Sequence, residues 1–147
     1  MIQTAKTTAH NHHASAVAFG PRGGVLIFGA SGSGKSHLAL AMVHEGAQLV
    51  ADDQVLLTAK HDALFARAPK TTAGLIEARG IGLLRMAHRR LAQIALVVDL
   101  SAPRGPRMPD PTLRDVAGVS LPVLHGEVGG PFAAAISHYI TRFIKSE

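Results

Sequence analysis

GASGSGKSHLALAMVHEGAQLVADDQVLL, residues 29–57, opens on a glycine-rich turn and closes just past two adjacent aspartates. Its first eight residues, Gly29, Ala30, Ser31, Gly32, Ser33, Gly34, Lys35 and Ser36, satisfy G-x-x-x-x-G-K-[ST] in full. Chemistry explains the composition. Glycines let the backbone turn so tightly that several N–H groups point at one anion. A lysine at the seventh position reaches the β- and γ-phosphates of a nucleotide, and the serine after it offers a hydroxyl to Mg²⁺. A helix starting at the same point adds its positive end.

The flanks supply the context this motif needs. Val25-Leu26-Ile27-Phe28 is an apolar run bounded by glycines and reads as a buried strand. His37 to Glu45 reads as a helix, with Leu38 and Met42 on one face and Gly46 as its stop. Leu49-Val50-Ala51 is the next buried strand, expected beside the strand that feeds the glycine-rich turn. Further out, Ala16 to Phe19 reads as a strand, and Val55–Leu57 with Leu64–Ala66 as a hairpin around Lys60-His61-Asp62. Leu75–Glu77 is a short strand and Ile94–Leu100 the most apolar one. Pro103 to Pro111 is a loop, since proline lacks the N–H a strand or helix interior needs. Phe132, Ile136, Ile140 and Phe143 recur at helical spacing after Pro131, which predicts a closing amphipathic helix. The sum is an α/β domain built round a phosphate-binding loop, with residues 1–12 as a flexible arm and 13–147 as the domain.

An enzyme of this kind needs a carboxylate near the metal or the attacking group. Two strand ends provide one: Asp52-Asp53 and Asp99. Spacing alone leaves them close to even. The pair is favoured because two adjacent carboxylates divide metal positioning from proton transfer. Asp99 is expected to end a strand elsewhere.

Composition narrows the class. The 147 residues are 47% hydrophobic and 17% charged, enough for a packed core. No cysteine is present, which removes disulfides, thiolate metal sites and cysteine nucleophiles. The first residues carry no apolar signal segment and no run approaches a membrane span, so a cytoplasmic protein with no membrane partner is expected. The net charge is +5, but one Tyr, five Phe and no Trp leave little for base stacking, so no nucleic acid is expected. The basic run Arg85–Arg90 reads as a solvated helix face or a docking patch for an acidic partner. His10 and His12 read as part of a polar arm.

Taken together, His13-Ala14, the Gly29–Ser36 loop, LVADDQV at Leu49–Val55 and IEARGIG at Ile76–Gly82 resemble the catalytic domain of bacterial HPr kinase/phosphorylase, in its short proteobacterial form. Arg107-Met108-Pro109 is a weaker match, and the resemblance fades after about residue 124. It implies a P-loop kinase fold of the PEP-carboxykinase-like type, ATP and Mg²⁺. It also implies a serine on an HPr-type phosphocarrier as acceptor, and a homo-oligomer, a hexamer in the family. By the same resemblance Lys35 grips phosphate, Ser36 and Glu77 bind the metal, and Asp53 takes the seryl proton. Asp52 supports Asp53, while His13 and Arg107 line the site.

Departures from the family pattern are specific. Ala14 stands where a glycine is usual, and His37 where an acidic residue is common. Leu121 to Glu127 lacks the arginine-bearing loop used for phosphorolysis, so weak reverse activity is expected. Two rival readings remain: a small-molecule P-loop kinase, and a nucleotide-binding regulatory module with little catalysis.

Overall fold

The computed structural model describes residues 9–101 and 112–145, with side chains to residue 142. The strand leading into the glycine-rich turn, β3 (Gly24–Phe28), lies in the middle of a nine-stranded mixed sheet. On one side it pairs in parallel with β9 (Ala92–Asp99), in a register that sets Phe28 against Asp99. On the other it pairs antiparallel with β2 (Ser15–Ala18), which in turn pairs antiparallel with β4 (Gln48–Ala51).

This order corrects the expected neighbour. The strand that ends at the aspartate pair is one place removed from β3, and Asp99 ends the strand directly beside it. The reason lies in β2. Its residues Ser-Ala-Val-Ala are small and wholly buried, and a tight turn, in which the Phe19 amide donates to the Gly23 carbonyl and the Gly23 amide to the Gly20 carbonyl, folds it back against β3. The helix α1 (Lys35–His44) therefore delivers β4 to the far side of β2.

β9 joins two halves of the sheet. Its first residues pair with β6 (Ala63–Arg67) and its last with β11 (Val119–His125), both along one edge. The hairpin of β5 (Val55–Lys60) with β6 forms where the turn residues Lys60-His61-Asp62 anticipated it. β1 (His10–His12) adds to β5, so the last three residues of the expected arm belong to the sheet. β10 (Thr112–Val116) pairs with β11, so Leu121–His125 is strand. Residues 103–111, expected as loop, lie outside the described residues.

Alternation along the central strands builds two apolar layers. Val25, Ile27, Leu96 and Val98 face α1 and the closing helix α2 (Gly130–Lys145), against Leu38, Met42, Ile136 and Ile140. Leu26 and Val97 face the opposite way, toward Leu57, Leu64, Val116 and Leu121. The stripe Phe132, Ile136, Ile140 thus packs as expected. The side chain of Phe143 lies outside the described residues.

A separate two-stranded ladder, β7 (Leu75–Ala78) with β8 (Gly82–Arg85), rests on α1 through the buried Ile76. The basic run at 85–90 is not helical. The Met86 amide donates to Gly74 and the Arg89 amide to Leu49, which hold it extended along the edge of β4. Among the described residues no helix is long and apolar enough to cross a membrane.

Candidate active site

The glycine-rich loop hangs between the end of β3 and the start of α1. Gly32 and Gly34 have φ of 81° and 105°, values that side-chain-bearing residues rarely adopt. A β-carbon on Gly34 would also collide with Val128. Gly34 caps α1 without a side chain, and the helix has no acidic residue in its first turn. No acidic side chain of the helix's own first turn therefore competes for its leading amides, which suits an anion site. Lys35 is buried, and its Nζ donates to the carbonyls of Gly29 (2.9 Å) and Ala30 (3.2 Å). These donors, the open glycine turn and the buried ammonium fit a nucleotide's phosphates.

The aspartate pair meets the start of α1 from across the sheet. Ser36 Oγ donates to Asp52 at 2.7 and 2.8 Å, bridging both carboxylate oxygens. The Glu77 amide donates to Asp52 Oδ2 at 3.0 Å, which ties β7 to the same carboxylate. Asp52 is buried and well supplied with donors, as a carboxylate in that environment must be.

Asp53 is set differently. Its side chain is 64% exposed, and Oδ1 lies 2.6 Å from Nε2 of His13, itself half exposed. Its backbone sits at φ 68°, and the Gln54 amide bonds back to the Asp52 carbonyl at 2.8 Å. That is a three-residue turn with a non-glycine residue at its strained centre. Adjacent residues thus point two ways, Asp52 inward to Ser36 and Asp53 out to solvent. A cleft of about 810 Å³ runs over them, walled by the P-loop, the start of α1 and the β7–β8 ladder, including Glu77 and Arg79.

Asp99 has other partners. It accepts from the hydroxyl and amide of Ser101 and pairs with Arg114 Nη1 at 2.9 Å. The Arg114 guanidinium also lies over the Phe28 ring, 4.6 Å from its centre. Burial alone would raise the Asp99 carboxyl. The Ser101 hydrogen bonds and the charges of Arg114 and His125 outweigh it and hold the group below its ordinary value. Asp99 braces the sheet behind the P-loop and does not line the cleft.

Lys35, Ser36, Asp52, Asp53, His13 and Glu77 are thus brought together, and Arg107 lies outside the described residues. Among the described residues no three His, Cys, Asp or Glu side chains form a metal-holding group. A metal here fits the mode in which Mg²⁺ takes one or two carboxylates, with substrate phosphates and water completing its shell. Sequence reasoning missed Ser15, whose hydroxyl touches both aspartates. A small polar residue opening a strand gives no signal for such a role.

The model of the HPr serine kinase C-terminal domain matches residues 5–105. The chain belongs to this family. Among curated relatives, HPr kinase/phosphorylase of Halalkalibacterium halodurans is 44% identical over 85 residues, 52% of this chain and 27% of that protein. The same-named protein of Mycoplasmopsis pulmonis is 48% identical over 61 residues, 42% of this chain and 20% of its own length. The chain thus spans less than a third of these relatives. In fold it resembles the structure of the Hpr(Ser) kinase/phosphatase from Coxiella burnetii. That likeness has a TM-score of 0.76 at 24% identity, over 93% of this chain and 98% of the other. The α/β P-loop fold read from residues 29–57 is the fold of the family.

Proposed function

We propose that the protein is an ATP-dependent serine kinase acting on an HPr-type phosphocarrier protein. The observation that carries this reading is the divided aspartate pair, with Asp52 held on the P-loop serine and Asp53 exposed beside it. An exposed base at the mouth of an open cleft suits an acceptor hydroxyl presented by another protein. A metabolite kinase would need to enclose its acceptor. The names of the relatives agree with a protein acceptor.

The P-loop amides and Lys35 hold the β- and γ-phosphates. Ser36 and Asp52, with Glu77 at the rim, would hold Mg²⁺, which when bound offsets phosphate charge. The seryl oxygen attacks the γ-phosphorus, the bond to the β–γ bridging oxygen breaks, and ADP leaves. The seryl proton passes to the Asp53 carboxylate, which His13 orients through Nε2. Phosphorolysis brings phosphate against phosphoserine, two anions that need added positive charge. The Leu121–Glu127 stretch supplies none beyond His125. Forward transfer is therefore expected to exceed the reverse reaction. A cytoplasmic homo-oligomer, a hexamer by family, completes the reading.

The test incubates the protein with Mg²⁺ and labelled ATP, in parallel with an HPr-type phosphocarrier and with a panel of hydroxylated metabolites. Label on a carrier serine is the expected result. Label only on metabolites would favour a small-molecule kinase. Nucleotide binding without transfer would favour a regulatory module.

A further inference from the structure

Ser15 opens β2 and is completely buried. Its hydroxyl makes two contacts of opposite sense. It accepts the Asp53 amide at 3.2 Å and donates to Asp52 Oδ1 at 2.7 Å. The directions are forced. The amide has only a proton to give, so the hydroxyl proton must point the other way, into the Asp52 carboxylate. One oxygen atom therefore fixes both members of the aspartate pair.

The contact matters because of what it holds. Asp53 has a left-handed backbone at φ 68°. A strained conformation of this kind persists only where neighbouring bonds over-determine it. The Gln54 amide to the Asp52 carbonyl is one such bond, and the Asp53 amide to Ser15 is the other in the backbone. On the carboxylate side, Ser15 and Ser36 share Asp52 Oδ1, so loss of Ser15 removes one of the donors that hold the Asp52 carboxylate in place. Ser36 and Glu77 would then be its remaining partners.

We infer that Ser15 is a positioning residue for phosphoryl transfer, locking Asp53 in its outward, left-handed setting and Asp52 on the P-loop serine through one buried hydroxyl. It contacts neither nucleotide nor acceptor. It acts through the two aspartates, and it assigns β2 a catalytic task besides its place in the sheet. The kinetic part of this inference rests on the kinase reading above. The backbone part does not.

Two measurements test it on the full chain. The first is hydrogen exchange at the Asp53 amide without nucleotide, by nitrogen-15 NMR. The wild type should protect this amide, Ser15→Ala should lose the protection, and Ser15→Thr should keep it. An unprotected wild-type amide, or one equally protected in Ser15→Ala, would overturn the assignment. The second is the KM-against-kcat split. Ser15→Ala should lower kcat by about 10- to 100-fold, the scale of a misplaced catalytic group, with KM for ATP changed less than about threefold. Ser15→Thr should recover most of the rate. Should Ser15→Ala fail to fold, near-isosteric Ser15→Cys replaces it, with the same loss expected because sulfur is a weak donor and acceptor. A Cys or Ala variant with wild-type kcat contradicts the inference. If the wild type phosphorylates no serine, the kinase reading falls, and the exchange measurement still decides the role of Ser15.

Discussion

In the proposed mechanism, nucleotide binding turns on Lys35. Its ammonium is held on two loop carbonyls and its side chain belongs to neither apolar layer. Lys35→Ala is therefore expected to keep a wild-type thermal transition and to lose about 10²- to 10³-fold in transfer rate, the scale of one missing charge-stabilising donor. Circular dichroism with single-turnover kinetics checks both halves. The aspartates give a sharper contrast. Asp53→Asn should slow transfer by about 10²- to 10⁴-fold, as loss of a general base does. Asp99→Asn should leave the rate within about tenfold, because it removes a brace behind the loop and nothing in the cleft. Comparing the two rates decides which acidic strand serves the site. That Lys35, Ser36 and the aspartate pair would meet at one site was legible at single positions, from residue type and spacing. Ser15 and the opposed directions of Asp52 and Asp53 were not, because they depend on a left-handed φ that the residue type Asp does not reveal.

At the scale of elements, local patterns located β3, α1 and α2, while pairing order depended on contacts distant in sequence. β2 intervenes between β3 and β4 because it is antiparallel to both, and no periodicity in residues 48–51 encodes that neighbour. The basic run at 85–90 misled for a related reason. Its charges suggested a solvated helix, but amide bonds to Gly74 and Leu49 pin it as an extended connection. α2 seals the helical side of the core, with Ile136 and Ile140 nearly inaccessible. Ile140→Ala should cost about 2–5 kcal/mol of stability through lost burial and the cavity left behind. Urea unfolding should show the lower midpoint. Nucleotide affinity should be unchanged where the variant remains folded, since Ile140 lies away from the cleft.

For the whole molecule, acid stability and activity report on different aspartates. The Asp99 carboxyl is held below its ordinary value in the fold, so the unfolded chain takes up its proton more readily. Its stabilisation is complete above the unfolded pKa of about 3.9 and is lost as pH falls through the lower folded value. Asp99→Asn should therefore be less stable than wild type at neutral pH, with the gap closing below about pH 4. Parallel urea midpoints at every pH would contradict this coupling. The proposed function is that Asp53 drives ATP-dependent phosphorylation of a protein serine. Its most direct measurement is the initial rate of phosphoserine formation on an HPr-type phosphocarrier with Mg²⁺ and ATP, for wild type and Asp53→Asn at matched nucleotide occupancy. The wild type should form phosphoserine steadily, and the variant should lose about 100-fold or more of that rate. Equal rates for the two proteins, or no phosphoserine from a nucleotide-bound wild type, would contradict it.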